Sequence, residues 1–155
     1  MNKSKGLALS QSKGFTIIEL IVVIAIIAVL AAIVLVNVTQ YINKGKDAAA
    51  RGNLASMMTR GTVYIDTPAN NGKYNTFCTA TTGGASINTA LTAAGYTMTC
   101  ACDSGATNTC TDPSTKWCAS VVLKNDATKS FCVDSSGKKV EAATASATCA
   151  TGACP

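Results

Sequence analysis

The 155-residue sequence contains no histidine, which removes the usual general base and the commonest metal ligand at neutral pH. It has no G-x-G-x-x-G or P-loop run and no closely spaced pair of carboxylates. Its many serines and threonines therefore have no candidate base to activate them, and no reaction centre assembles from the sequence. Aromatic residues make up 5% of the chain, so a folded head has few rings to bury. Prolines stand only at Pro68, Pro113 and Pro155, leaving the first 67 residues free of that helix breaker. Cysteine is missing from everything before Cys78. A net charge of +5 looks basic, but Lys3, Lys5 and Lys13 carry three of those charges, and the rest of the chain is only +2. That is a weak footing for general electrostatic binding of nucleic acid.

What is present begins with an apolar run. Phe15 to Val36 is 22 residues of nearly unbroken hydrocarbon, about 33 Å if helical and long enough to cross a bilayer. It is longer than the core of a cleaved secretory signal and reads as a membrane span. Lysines on one side of it are balanced by Lys44, Lys46 and Arg51 on the other, so charge counting does not orient it. The cysteines do. Cys78, Cys100, Cys102, Cys110, Cys118, Cys132, Cys149 and Cys154 all lie after the run, as expected for disulfides formed outside the cytoplasm, with the amino terminus inside. Eight cysteines allow 105 pairings, and no connectivity follows from spacing. Cys100-Ala-Cys102 lacks the two-residue gap of a zinc knuckle, so no metal site is expected there.

One carboxylate, Glu19, interrupts the apolar run, at a cost of a few kcal/mol in lipid. It could snorkel to the headgroups. A cation for it would arise if the chain were cut between Gly14 and Phe15, because the new α-amino group would lie four residues away. Lys13-Gly14-Phe15-Thr16-Ile17-Ile18-Glu19 and the run that follows resemble the leader and cleavage site of type IV prepilins and of type II secretion pseudopilins. The resemblance covers roughly Met1 to Arg60. It implies that an inner-membrane aspartyl peptidase cuts after Gly14 and methylates the amine of Phe15. It also implies that Glu19 meets the amino terminus of a neighbouring subunit during fibre assembly. Many members of that family carry a proline near the positions of Val36 to Val38, and this chain does not.

Beyond Asn37 a helical rhythm continues to about Ile65. Val38, Ile42, Gly45 and Ala49 mark one stripe, and Leu54, Met58, Gly61 and Ile65 a second, rotated by roughly 160° at 100° per residue. The two stripes predict two partners, other subunits for the first and the chain's own head for the second, on one continuous helix. Pro68 and Asn70-Asn71-Gly72 end it. Tyr74 to Asp112 shows little period apart from a short helix predicted at Ser86 to Ala94. Lys116 to Lys124, Lys129 to Asp134 and Lys138 to Glu141 predict a three-stranded antiparallel meander, with Cys118 and Cys132 stapled to the tail carrying Cys149 and Cys154.

The expected fold is α+β: a leader at 1–14, a membrane and fibre-core helix at 15–36, its amphipathic continuation at 37–66, and a disulfide-stapled head at 67–155. The resemblance implies a structural subunit rather than an enzyme, in the inner membrane before assembly and in an extracellular pilus or periplasmic pseudopilus afterwards. Its partners would be copies of itself, minor pilins, the peptidase and an assembly platform. No cofactor is expected. Asp126 and Asp134 could ligate calcium, as a loop does in some major pseudopilins, but turn formation is the simpler role. A DNA-binding role would draw on Lys116, Lys124, Lys129, Lys138 and Lys139, whose plainer role is as solvated strand-edge lysines. A different class altogether is a single-span anchor presenting a binding head.

Overall fold

A computed structural model describes residues 14–104, 108–111, 113–143, 149 and 151–155; the leader expected at 1–14 lies outside them except for Gly14. The architecture is α+β. Helix α1 runs from Ile17 to Asp66, through both Gly45 and Gly52 without a break. The 3₁₀ turn Pro68–Asn70 stops it, and Asn71 follows in the left-handed region. Two compact units divide the chain, Met1–Thr39 and Gln40–Pro155.

In the first unit the described α1 side chains are exposed, Ile17 at 80% and Val23 at 46%. The helix is long and apolar enough to cross a membrane, and none of its apolar window is buried.

The second unit holds the core. The α1 residues facing it are Asp47, Ala50, Leu54, Met57, Gly61 and Tyr64, a 3-4-3-4-3 spacing that keeps one helix face inward. This corrects the second predicted stripe: Leu54 and Gly61 belong to it, but Met58 and Ile65 only flank the core, and Met57 and Tyr64 take their places. The first predicted stripe, Val38, Ile42, Gly45 and Ala49, is exposed.

Helix α2, Ala85–Ala93, buries Ile87 and Leu91. It ends in a Schellman pair, Gly95 N–H to Thr92 O and Tyr96 N–H to Leu91 O, both 2.9 Å. Gly95 supplies the required left-handed φ of +79° at no steric cost.

The sheet has four strands, not three. β1 Met98–Cys102, β2 Trp117–Val122, β3 Ser130–Asp134 and β4 Lys139–Ala142 pair antiparallel in sequence order. Ala119 sits opposite Ala101's neighbour Cys100 on one side and opposite Val133 on the other. β1 falls in the stretch that shows little period, because Met-Thr-Cys-Ala-Cys has no polar alternation. Four of its five residues are buried, so both faces are covered and period-2 patterning disappears. Alternation sorts the other strands. Trp117, Ala119, Val121 and Val133 join the α1 side of the sheet, while Cys118 and Cys132 join Ala101, Cys149 and Cys154 on the other.

Tyr64, Tyr74, Phe77 and Trp117 concentrate the scarce ring area in one cluster, with Phe77 and Trp117 centroids 4.8 Å apart. Gly61 permits it. A Cβ there would stand 2.8 Å from Trp117 Nε1, so only a glycine lets the helix approach the indole this closely.

Candidate functional site

Gly14, Phe15 and Thr16 precede the first turn of α1. A Cβ at Gly14 would meet nothing within 4 Å, and Phe15 is 81% exposed. Thr16 is the N-cap and Glu19 the third helical residue. Thr16 N–H donates to Glu19 Oε2 at 2.9 Å, Thr16 Oγ1 donates to the same oxygen at 2.7 Å, and Glu19 N–H donates to Thr16 Oγ1 at 3.3 Å. This is a capping box, which satisfies orphan amides at a helix start. Its signal, T-x-x-E, stands openly in the sequence.

The expected disulfide candidates fall into two groups on the two faces of the sheet. Cys78–Cys100 and Cys102–Cys110 are bonded on the α1 side, and Cys132–Cys154 on the other. Cys118 and Cys149 are buried thiols. Cys78, Cys102 and Cys110 sulfurs lie within 4.8 Å of one another, a proximity that their two disulfides account for.

Asp126 and Asp134 sit at opposite ends of β3 and are not brought together. Asp126 Oδ1 accepts from the Thr128 amide at 3.0 Å and its hydroxyl at 2.5 Å. Asp134 is buried. Its Oδ1 accepts from Ser136 N–H, Ser136 Oγ and Lys138 N–H, and its Oδ2 from Cys154 N–H at 3.1 Å. Burial works to raise this carboxyl's pKa, but those hydrogen bonds prevail and hold it below the ordinary aspartate range. Asp134 therefore shapes the β3–β4 turn and anchors the tail with the same carboxylate.

Of the five lysines around the meander, three are drawn into local contacts. Lys124 Nζ donates to Ala94 O at 2.8 Å and lies over the Tyr96 ring. Lys129 pairs with Asp126 at 3.8 Å and with Glu141 at 3.4 Å. Lys138 Nζ donates to the carbonyls of Cys154 and Pro155.

Sequence reasoning missed Asp47, the buried carboxylate on the inner face of α1. Its Oδ1 accepts from Tyr96 Oη at 2.6 Å and Lys124 N–H at 2.8 Å, and its Oδ2 from Asn125 N–H at 2.9 Å. One side chain thus ties α1 to the β2–β3 turn and to the residue after α2. An isolated Asp among small residues gives no warning of such a role.

The site is thus a capped Gly-Phe-Thr-Ile-Ile-Glu opening an apolar helix, on a chain that continues into an α+β head with disulfides. The chain carries the prokaryotic N-terminal methylation motif over residues 9–35, the signature of type IV pilins and pseudopilins. No curated protein and no solved structure gives a significant match.

Proposed function

We propose that the chain is the structural subunit of a type IV pilus-like fibre, cut after Gly14, methylated on the Phe15 amine and polymerised through the apolar half of α1. The observation that carries this is the methylation motif at residues 9–35 on a helix whose apolar side chains are exposed among the described residues. On this reading Gly14 is the residue that the processing peptidase accepts before the cut.

In the uncut chain Glu19 is engaged by Thr16, and cutting creates a second partner, the Phe15 amine. In lipid a carboxylate that gains a full positive charge is favoured over one holding only neutral donors. Pairing with the amine of an adjoining subunit would neutralise both charges inside the fibre. Before assembly the apolar helix holds the subunit in the inner membrane with its amino terminus inside.

The test is mass spectrometry of the natural protein. A mature amino terminus at Phe15 carrying one added methyl group supports the proposal, and a chain retaining Met1 to Gly14 overturns it in favour of a simple anchored head. The pseudopilin reading shares the same motif. Long surface fibres containing this chain favour the pilus, whereas loss of secreted enzymes on its deletion, with surface fibres retained, favours the pseudopilus.

A further inference from the structure

The sulfur atoms on the two faces of the sheet are in different states. On the α1 side all four are bonded. On the opposite face Cys132–Cys154 is bonded, yet Cys118 and Cys149 are thiols. Both are buried in one cluster with Cys132 and Cys154. Cys149 Sγ is 3.8 Å from Cys132 Sγ. A buried free cysteine ordinarily serves as a small hydrophobic residue. Two thiols enclosed in one sulfur cluster, in a head whose three other bonds require oxidising conditions, are differently placed.

We propose that Cys118 and Cys149 form a fourth disulfide, which ties the tail to β2 as Cys132–Cys154 ties it to β3. Residues 149 and 154 would then be fastened to adjacent strands, with Cys154 N–H already held by Asp134. The oxidant is a protein disulfide of the exported compartment. The Cys149 thiolate attacks one sulfur of the donor, forming a mixed disulfide and expelling the donor's other sulfur as thiolate. Cys118, having released its proton, attacks Cys149 Sγ and expels the second donor thiolate. The pair loses two electrons and two protons, and the donor disulfide becomes a dithiol.

The timing follows from the surroundings. The neighbouring Cys149, burial, and the charge of Asp134 push the Cys118 thiol far above its ordinary pKa, which makes it a poor nucleophile once enclosed. The bond therefore forms while the chain folds, before the tail closes over β2.

The experiment uses the full chain extracted from native membranes, unfolded in excess iodoacetamide and digested with trypsin without reduction. The four cysteines fall on three peptides, Trp117–Lys124, Ser130–Lys138 and Val140–Pro155. The expected product is one species joining all three with no alkylated sulfur, fragmenting to Cys118–Cys149 and Cys132–Cys154. In Cys118→Ser, Cys149 should become alkylated while Cys132–Cys154 persists. Release of Trp117–Lys124 with an alkylated Cys118, or a bond from Cys118 to Cys132 or Cys154, overturns the proposal. The same digest reads Cys78–Cys100. If that bond is missing too, the exported placement of the head fails together with the fourth disulfide; if it is present, only the fourth disulfide fails.

Discussion

The two halves of α1 obey different rules. From Ile17 to Leu35 the helix is apolar on every side apart from Glu19, and its side chains are exposed among the described residues. From Asp47 to Tyr64 a single face is buried and the exposed positions are polar or small apart from Val63. An all-round apolar helix needs lipid or other helices, whereas a one-sided helix finishes its packing within its own chain. The first half is thus composed for partners and the second for the head. A mutation in one should leave the property governed by the other unchanged.

The sharpest way to break that comparison is Glu19→Ala. On the proposed pairing the substitution strands the Phe15 amine in an apolar layer with no counter-charge, so fibre yield should collapse. Membrane insertion and the thermal unfolding of the head should stay as they were. Normal fibre yield, measured by shearing and immunoblot, would remove Glu19 from assembly.

Next in size is Cys132→Ser with Cys154→Ser, expected to destabilise the head by about 2–5 kcal/mol. Denaturant unfolding of the detergent-solubilised chain reads this, and membrane insertion should be untouched. Gly61→Ala is milder, at about 1–3 kcal/mol, because the new methyl must displace the Trp117 indole from a tightly packed site. A shift in tryptophan fluorescence should accompany the loss of stability.

Acid probes the same region more gently. Asp134 has a depressed folded pKa, so its contribution is complete above the unfolded aspartate value of about 3.9 and is lost as pH falls through the lower folded value. Hydrogen exchange of the Ser136, Lys138 and Cys154 amides, corrected for intrinsic rate, should accelerate together across that window. Independent behaviour of the three would separate the turn from the tail. Smallest is Thr16→Val, which deletes the N-cap at a cost of about 1 kcal/mol. Circular dichroism should show limited fraying at the helix start, with head stability unchanged.

The extent to which the fold was legible tracks how each residue is surrounded. The continuous helix, its end at Pro68 and the strands β2 to β4 follow from period and turn residues visible in the sequence. β1 did not follow, because burial on both faces erases the alternation by which strands are recognised. The inner stripe of α1 was displaced by one residue at Met58 and Ile65, since each has an apolar neighbour, Met57 or Tyr64, that competes for the buried face, and the polar Asp47 at the head of that face hides its phase. The candidate residues Gly14, Phe15 and Glu19 stand as a local string inside the matched motif, and their roles belong to the proposal. The Thr16–Glu19 capping box is equally local, a T-x-x-E at the start of an apolar run. Cysteine pairing was beyond sequence, being set by which sheet face each strand residue takes.

The disulfides also have a mechanical meaning. A fibre subunit is pulled along its chain, and a segment enclosed between bonded cysteines cannot be drawn out. Cys78–Cys100 and Cys132–Cys154 each enclose a separation of 22 residues, so each withholds roughly 75 Å of contour from any stretching force. A head under tension would therefore keep those segments closed and could extend only through its unbonded stretches, such as that from Cys110 to Cys132.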